Sequence, residues 1–413
     1  MIKWMRVQNF KNLADVQAEF SPLNVIIGPN GCGKTSLLQS IDFLRAFFYP
    51  SIELYLDEKG FDYNDLPNLQ TSSKSMQWEL DVELPSDKDG FGAGRYHYEV
   101  SIRKSKYLGL DREILIYTSL EGEEKPLIEM SKRKPTSLTL PDSEGGRTQI
   151  VYSDINIRMP RSYMADIPDK QKERHPEIFN FVNWIKNIRY FMINPNNLRW
   201  KSRGPSEEIG QYGEFLASFL HSMKRKAPGK YEQLIKKMKR IFPSVSGIDV
   251  KGSGGMGWNE IQQLEKANRN INIKSEHMSD GVLRMLAMCT FLYSDDAPSI
   301  INIEEIENGI HPQLIREVIR MLSDLTAKKA HAPQIFITTH NPYVLDEFID
   351  KPQQVYVMER GLPQTGAQLF RLSENKHIDV VKATYKNSLG EAWFSGLIGG
   401  TAKGSIPWES GSG

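Results

Sequence analysis

The sequence predicts an α/β fold built on a mixed sheet, with an antiparallel β-insert and a helical arm. Near the N-terminus, an apolar run, a glycine-rich loop and an amphipathic helix follow one another, which is the order of a strand–loop–helix unit. Between about residues 75 and 155, apolar residues alternate with polar ones every second position, which indicates half-buried antiparallel strands. Two later apolar runs each end in polar side chains and are separated by one helix, as in a parallel βαβ unit.

Composition limits the class of protein. The chain has 413 residues, of which 39% are hydrophobic and 25% charged, so it is globular rather than disordered. Its 52 Lys and Arg residues balance 51 Asp and Glu residues, and this argues against a surface that is basic throughout. Only two cysteines occur, and no apolar run is long enough to cross a bilayer, so we expect a cytoplasmic protein without a disulfide framework.

Residues 28–35, GPNGCGKT, fit the G-x-x-x-x-G-K-[ST] pattern of a phosphate-binding loop. Glycines let such a backbone turn sharply and aim its N–H groups at phosphate oxygens, and the following helix adds its positive dipole end. Lys34 is expected to reach the β- and γ-phosphates and Thr35 to hold Mg²⁺. The alternative is a glycine-rich turn that fits by chance, which the apolar strand before it and the helix after it disfavour. The residues expected to bind the nucleotide in this loop are Asn30, Gly31, Gly33, Lys34, Thr35 and Ser36.

A basic helix is predicted over residues 230–242. Its apolar side chains fall within an arc of about 120°, and lysines and an arginine fill the rest of the surface. With the Lys-Arg-Lys run at 224–226, the segment 224–240 is the best nucleic-acid candidate in the chain. An ordinary solvated face is the favoured alternative, since lysine runs are common on surface helices.

Three later stretches carry further polar groups. Ser279 and Gly281 stand at a predicted helix start, where they either meet an anion or simply cap the helix. Glu304 and Glu305 follow an apolar strand, which suits an acid beside Mg²⁺ and a base that activates water; helix-start charges are the alternative. His340 ends the next apolar run about 35 residues later, so the two strand ends can lie beside one another.

The order of these four motifs resembles that of the ATP-binding-cassette type of ATPase. The branch concerned contains RecF, the structural-maintenance-of-chromosomes proteins and the OLD (overcoming lysogenization defect) family, and the likeness is closest to OLD-like ATPases of bacterial anti-phage systems. The resemblance implies that residues 28–36 are the Walker A loop. It further implies that Ser279, Gly281 and Arg284 form the signature motif, which contacts ATP held by the other subunit.

The same resemblance assigns the remaining roles. Glu304 and Glu305 correspond to the Walker B pair, with Glu304 and Thr35 as metal ligands, and His340 corresponds to the switch histidine. The implied catalytic residues are therefore Glu305, His340 and Glu304, with ATP and Mg²⁺ as cofactors. Lys11, in the turn after the first strand, is added to the nucleotide-binding residues. Two departures from the pattern are SDG in place of SGG in the signature, and Glu304 where Asp is usual. Asn194 is the candidate for the Q-loop, although no glutamine marks it.

The resemblance also predicts partners. We expect a head-to-tail homodimer or higher oligomer in which ATP joins two chains. OLD nucleases carry a Toprim domain after the ATPase, and the 73 residues past His340 are too few for one. The expected role is therefore that of a sensor ATPase controlling a separate effector, a nuclease; the alternative is a DNA-binding repair ATPase of the RecF kind, using the basic helix 224–240.

Five segments are predicted. They are 1–50 (first half of the core), 51–165 (β-insert), 166–275 (helical arm), 276–372 (second half of the core) and 373–413 (glycine and aromatic tail). Residues 355–360 are predicted as the last sheet strand. The tail either folds back on the sheet or forms a docking surface.

Overall fold

The computed structural model divides into two compact units. The first unit comprises residues 1–188 and 348–413, and the second comprises residues 189–347. The residues that the structure describes are 1–73, 75–104, 108–131, 136–141, 147–152, 160–167, 172, 174–253, 258–265, 271–293, 298–327, 331–361, 366–375, 378–385 and 388–399. The last part of the predicted tail, residues 400–413, lies outside them. The five-segment division remains a prediction.

The strands of the first unit form two groups. The larger is an eight-stranded antiparallel sheet in the order β2-β1-β4-β5-β6-β7-β8-β9. Its strands are β1 (Ile2–Phe10), β2 (Leu13–Glu19), β4 (Ser75–Leu84), β5 (Gly94–Lys104), β6 (Leu108–Thr118), β7 (Glu124–Ser131), β8 (Thr136–Pro141) and β9 (Arg147–Tyr152). The predicted antiparallel insert is confirmed, and the first two strands of the chain belong to the same sheet.

An aromatic cluster ties this sheet to the helix that follows the phosphate loop. Trp78 of β4 stacks on Phe43 with ring centroids 5.2 Å apart and meets Phe10 and Phe47 at 5.5 and 5.4 Å. The Trp78 indole nitrogen donates a hydrogen bond of 3.0 Å to the carbonyl of Ser40. The indole is 1% exposed, so this contact anchors the sheet in the core of the first unit.

The smaller group of the first unit contains β3 (Leu23–Ile27), β17 (Val355–Arg360) and β18 (Ala367–Arg371). β3 pairs with β17 in parallel, and β17 pairs with β18 in antiparallel. All five residues of β3 are buried, as its apolar run predicts. The prediction that 355–360 is the last strand is wrong, because the short Ala367–Arg371 segment satisfies the free edge of β17.

The helices of the first unit surround these strands. They are α1 (Lys34–Asp42), α2 (Ile52–Lys59), α3 (Pro176–Lys186), α10 (Ile378–Thr384) and α11 (Leu389–Phe394), with a 3₁₀ helix at Phe43–Phe48 that continues α1. In α3 the buried face includes Ile178, Phe181 and Val182.

The second unit contains a parallel pair of strands and a separate antiparallel sheet. The strands are β10 (Ile188–Phe191), β11 (Ser202–Arg203), β12 (Val245–Ser253), β13 (Trp258–Glu265), β14 (Ile271–Lys274), β15 (Ile300–Ile303) and β16 (Gln334–Thr338). β15 and β16 run parallel, and the Glu304 N–H donates to the carbonyl of Phe191 at the end of β10. β11 to β14 form an antiparallel sheet that the prediction of a helical arm does not include.

The helices of the second unit include the basic helix that the sequence predicts. They are α4 (Pro195–Leu198), α5 (Leu216–Lys226), α6 (Pro228–Ile241), α7 (Asp280–Tyr293), α8 (Pro312–Ala327) and α9 (Pro342–Asp346). α6 is the predicted basic helix, and it buries Tyr231, Leu234 and Met238. No helix of the described chain is long and apolar enough to span a membrane.

A buried acid in β6 should make the stability of the first unit depend on pH. The Glu113 carboxylate is fully buried and accepts a hydrogen bond of 2.8 Å from the Tyr98 hydroxyl. Burial raises the pKa of Glu113 from 4.5 to about 7, although hydrogen bonds from Ser162 and Tyr163 oppose the shift. Between these two values the folded chain keeps a proton that the unfolded chain releases, so the free energy of unfolding falls as pH rises through the window.

We therefore expect Glu113→Gln to remove this pH-dependent loss. The gain at pH 8 should be about 3 kcal/mol, since one pKa unit corresponds to about 1.4 kcal/mol. Denaturant unfolding at pH 5 and pH 8 would measure it, with the exposed Glu124→Gln as control. An equal pH dependence in Glu113→Gln and the unsubstituted protein would contradict the assignment.

Candidate active site

The phosphate loop of the first unit connects β3 to α1. Gly28 has φ 151°, and a Cβ atom at this position would lie 2.1 Å from the carbonyl oxygen of Met358 in β17. Gly33 has φ 120°, with the amide of Asn12 3.0 Å from the position that its Cβ would take. Both positions combine a left-handed backbone with close neighbours, so only glycine fits there.

The start of α1 presents groups suited to an anion. Gly33 precedes the helix without a side-chain cap from the described residues, and the first-turn N–H groups of a helix have no intrahelical acceptor. Lys34 is 7% exposed, and its ammonium donates to the carbonyls of Gly28 and Pro29 at 2.8 and 3.0 Å. Thr35, Asn30 and Gly31 are exposed, and Ser36 is half-buried. An incoming triphosphate would meet positive charge and N–H donors here.

The turn between β1 and β2 lies against this loop. The Lys11 ammonium contacts Gln39 Oε1 at 2.5 Å and sits 4.2 Å from the centroid of the Phe61 ring. The Asn12 amide nitrogen donates to the carbonyl of Gly31 at 3.3 Å. A cavity of 560 Å³ is lined by Lys11, Asn12, Ser36 and Phe61, among others, and this volume can hold a nucleoside. Sequence reasoning names Lys11 but misses Asn12 and Phe61, which no motif marks.

The acidic pair belongs to the second unit, at the end of β15. Glu304 is 9% exposed, and its carboxylate accepts a hydrogen bond from the Tyr190 hydroxyl. Glu305 is exposed, and its backbone has φ 46°, which is uncommon for a residue with a side chain. The Glu305 N–H donates to Thr338 Oγ1 of β16 at 3.0 Å. One carboxylate is therefore held inside, and the other points toward solvent.

His340 follows β16, the parallel neighbour of β15. It is half-buried, and its N–H donates to Glu307 Oε1 at 2.7 Å, while Asn308 Nδ2 lies 3.4 Å from Glu305 Oε2. The structure thus brings together, within the second unit, the three residues that the sequence predicts as catalytic. Tyr190, Thr338 and Glu307 support them and are not predicted by the sequence, because their role depends on which strands are neighbours.

The signature residues stand at the start of α7. Ser279 is exposed and its hydroxyl accepts from the Val282 N–H at 3.4 Å, while Gly281 is half-buried. Arg199 fixes this helix start through the Met278 carbonyl and the Asp280 carboxylate. Ser279 and Gly281 are therefore accessible to an outside ligand.

Arg284 and Asn194 have contacts of a different kind. Arg284 is 1% exposed and donates to the carbonyl of Glu305 at 3.1 Å, so its guanidinium lies against its own chain. The Asn194 side chain accepts from the Asn196 N–H and caps α4.

The residues predicted as Mg²⁺ ligands offer suitable donor atoms. The Thr35 hydroxyl and the Glu304 carboxylate are hard oxygen donors, which Mg²⁺ prefers. In the described part of the chain no group of three or more His, Cys, Asp or Glu side chains could hold a metal ion by itself.

Comparison with known families gives two matches. The family described as "AAA ATPase domain" matches residues 1–140. The family described as "AAA domain, putative AbiEii toxin, Type IV TA system" matches residues 182–346. The first match contains the phosphate loop, and the second contains the signature residues, the acidic pair and His340.

Three curated proteins are similar to the chain. An OLD nuclease of Thermus scotoductus is 40% identical over 61 residues, which are 15% of this chain and 12% of that nuclease. An ATP/GTP phosphatase of Helicobacter pylori is 22% identical over 94% of this chain and 97% of its own length. A DNA replication and repair protein RecF of Shewanella loihica is 22% identical over 86% and 97%. The chain is therefore an ATPase of the ATP-binding-cassette type, related to OLD nuclease and RecF.

Proposed function

We propose that the chain binds ATP with Mg²⁺ and hydrolyses it as a nucleotide-gated dimer. In this proposal Asn30, Gly31, Gly33, Lys34 and Ser36 grip the phosphates, and Thr35 and Glu304 hold Mg²⁺, which supplies charge neutralisation at the phosphates. Glu305 takes a proton from the attacking water while the water oxygen bonds to the γ-phosphorus. The bond between the γ-phosphorus and the oxygen that bridges it to the β-phosphate then breaks, which leaves ADP and inorganic phosphate. His340 contacts the γ-phosphate.

The exposed carboxylate of Glu305 is the observation that carries this proposal. It stands beside the buried carboxylate of Glu304, and the N–H and carbonyl groups of Glu305 are both hydrogen-bonded. Two adjacent acids in such different surroundings suit two different roles, one at the metal and one at the water.

The proposed dimer is head to tail. Ser279 and Gly281 lie at the accessible start of α7, and α1 already provides a phosphate site within each chain. One chain does not need two sets of phosphate contacts for one nucleotide. Ser279 and Gly281 therefore suit contact with the nucleotide that another chain holds. ATP then joins two copies, and hydrolysis releases them.

A mixing experiment tests the shared nucleotide. Lys34→Ala and Ser279→Arg should each be inactive alone, because every nucleotide would lose one of its two sides. In a mixed dimer one site combines an intact Lys34 with an intact Ser279, so an equal mixture should recover about a quarter of the unsubstituted activity. Phosphate release measures the recovery, and a mixture as inactive as its components would refute the head-to-tail arrangement.

We further propose that the chain is the cytoplasmic sensor of an anti-phage system. Its cycle of ATP binding and hydrolysis controls a separate effector nuclease. The relationship to an OLD nuclease and the toxin–antitoxin description of the second family support this role. An exposed apolar end is available for docking, with Phe394 85% and Leu397 40% exposed. Large exposed apolar side chains of this kind are typical of interface anchors.

The second candidate is a DNA-binding repair ATPase, favoured by the basic helix and by the similarity to RecF. Lys236, Lys239 and Arg240 are exposed on α6, whereas Lys237 pairs with Glu317, and Lys224 pairs with Asp249 at 2.5 Å. These ion pairs reduce the free positive charge of the segment and make this candidate the weaker one. Purification of the chain in the presence of a non-hydrolysable ATP analogue separates the two roles. A copurifying protein would support the sensor role, and a copurifying nucleic acid would support the repair role.

A further inference from the structure

The backbone of Glu305 adopts a conformation that its side chain disfavours. Its φ of 46° lies in the left-handed region, where residues with a Cβ atom are uncommon. Such strain persists where surrounding contacts hold it, and it clusters at functional sites. The contacts that hold Glu305 therefore bear on the use of its carboxylate.

Two side chains bind the backbone of Glu305, one at its N–H and the other at its carbonyl. Thr338 Oγ1 accepts from the Glu305 N–H at 3.0 Å, and the Thr338 carbonyl accepts from the Ile306 N–H at 3.1 Å. Arg284 Nη2 donates to the Glu305 carbonyl at 3.1 Å, and the Asn308 N–H donates to the same oxygen at 2.9 Å. Both peptide groups of Glu305 are therefore fixed.

Arg284 is buried at a cost. Its side chain is 1% exposed, and its Nε and Nη1 have no hydrogen-bond partner within the described residues. Burial lowers the pKa of Arg284 to about 10, while the negative charges of Glu307, Glu305 and Asp280 act to raise it. The guanidinium is therefore charged at neutral pH. A charged group this poorly satisfied is unfavourable for stability alone.

The turn after Glu305 is shaped around Arg284. Gly309 has φ 69°, and a Cβ there would lie 3.2 Å from Cδ of Arg284. A Cβ atom at Gly281, in the first turn of α7, would lie 3.4 Å from the carbonyl oxygen of Gly309. The helix that begins at the signature residues is therefore packed directly on the turn that carries the proposed base.

We propose that Arg284 and Thr338 are positioning residues that hold the Glu305 backbone so that its carboxylate meets the attacking water. This inference rests on the proposed function of Glu305. It gives Arg284 a role within its own chain, in place of the contact with a partner's nucleotide that the family resemblance implies. Removing either contact should misplace the carboxylate and leave nucleotide binding intact.

Thr338 provides the cleanest test. Thr338→Val keeps the shape of the side chain and removes the acceptor for the Glu305 N–H, whereas Thr338→Ser keeps the acceptor. We expect kcat to fall about 100-fold in the valine variant, with KM for ATP unchanged, because a displacement of about 1 Å can cost that much. The serine variant should restore most of the rate. Thr326→Val, which removes a hydroxyl bonded to Ser323 in α8, is the matched control and should be normal.

Arg284→Met gives an independent result that does not depend on the folding of the Thr338 variant. We expect a lower kcat with unchanged ATP-dependent dimerisation. A normal kcat with dimerisation that needs more ATP would mean that Arg284 serves a nucleotide, and it would overturn the proposal. A normal kcat in Thr338→Val would overturn it equally.

The background of Glu305→Gln separates this inference from the proposed function. If Thr338 and Arg284 act through the Glu305 carboxylate, their substitutions should lower kcat no further once that carboxylate is gone. A further loss of similar size in this background would refute the positioning role. Full turnover of Glu305→Gln alone would instead refute the proposed function.

Discussion

Replacement of Glu305 by glutamine should slow ATP hydrolysis about 10²- to 10⁴-fold, the usual contribution of a general base. Glutamine keeps the size of the side chain and can keep the contact with Asn308, which lies 3.4 Å from Glu305 Oε2. It cannot take a proton from water. Because the Glu305 side chain is exposed, folding should be unaffected. Phosphate release at saturating ATP measures the rate.

Binding provides the second half of this test. ATP affinity, followed with a fluorescent analogue, should change little in Glu305→Gln, and ATP-bound dimers should accumulate since hydrolysis no longer releases them. Glu53→Gln, an equally conservative change at an exposed position of α2, is the control and should be normal. Unchanged turnover in Glu305→Gln would end the assignment of Glu305 as the base.

Replacement of Lys34 by alanine should have the other large effect. The Lys34 ammonium donates hydrogen bonds to the carbonyls of Gly28 and Pro29, at the start of α1. Hydrogen bonds to charged groups contribute about 1.5–3 kcal/mol, so ATP affinity should fall about 10- to 100-fold. Loss of charge stabilisation in the transition state should lower kcat by a further 10²- to 10³-fold or so.

Titration calorimetry and phosphate release would measure these two losses separately. Lys236→Ala, at an exposed position of α6, removes the same charge elsewhere and should leave both values unchanged. Near-normal affinity together with near-normal kcat in Lys34→Ala would show that the loop does not bind the triphosphate.

Local patterns predict a large part of this fold. The apolar run of β3 and the glycine-rich loop place α1 correctly at Lys34, because strand burial, turn and helix start are all encoded within twenty residues. The two-residue alternation of Trp78, Leu80 and Val82 likewise identifies β4. The family identification follows from four short motifs in order, and each lies on its expected strand or helix start.

Other features depend on contacts between distant residues. The sheet of β11 to β14 includes a strand of only two residues, β11, and its pairing partners in β13 lie up to 57 positions away. The burial of Arg284 depends on the turn at Gly309, and the left-handed Glu305 depends on Thr338, 33 positions away. A motif names such residues without revealing what they touch, so the sequence alone assigns Arg284 to a ligand.

The two N-terminal strands share the eight-stranded sheet with β4, and the indole of Trp78 donates a hydrogen bond to the backbone of Ser40 in α1. Excision of residues 75–152 would leave β1 paired with β2 only and would remove Trp78 from its contacts with the Phe10 and Phe43 rings. A shortened ATPase prepared in that way should aggregate, because the exposed edge of β1 and the uncovered aromatic rings would both be available for contacts between chains. Amide hydrogen exchange should accordingly find β1, β4 and α1 opening as one cooperative block.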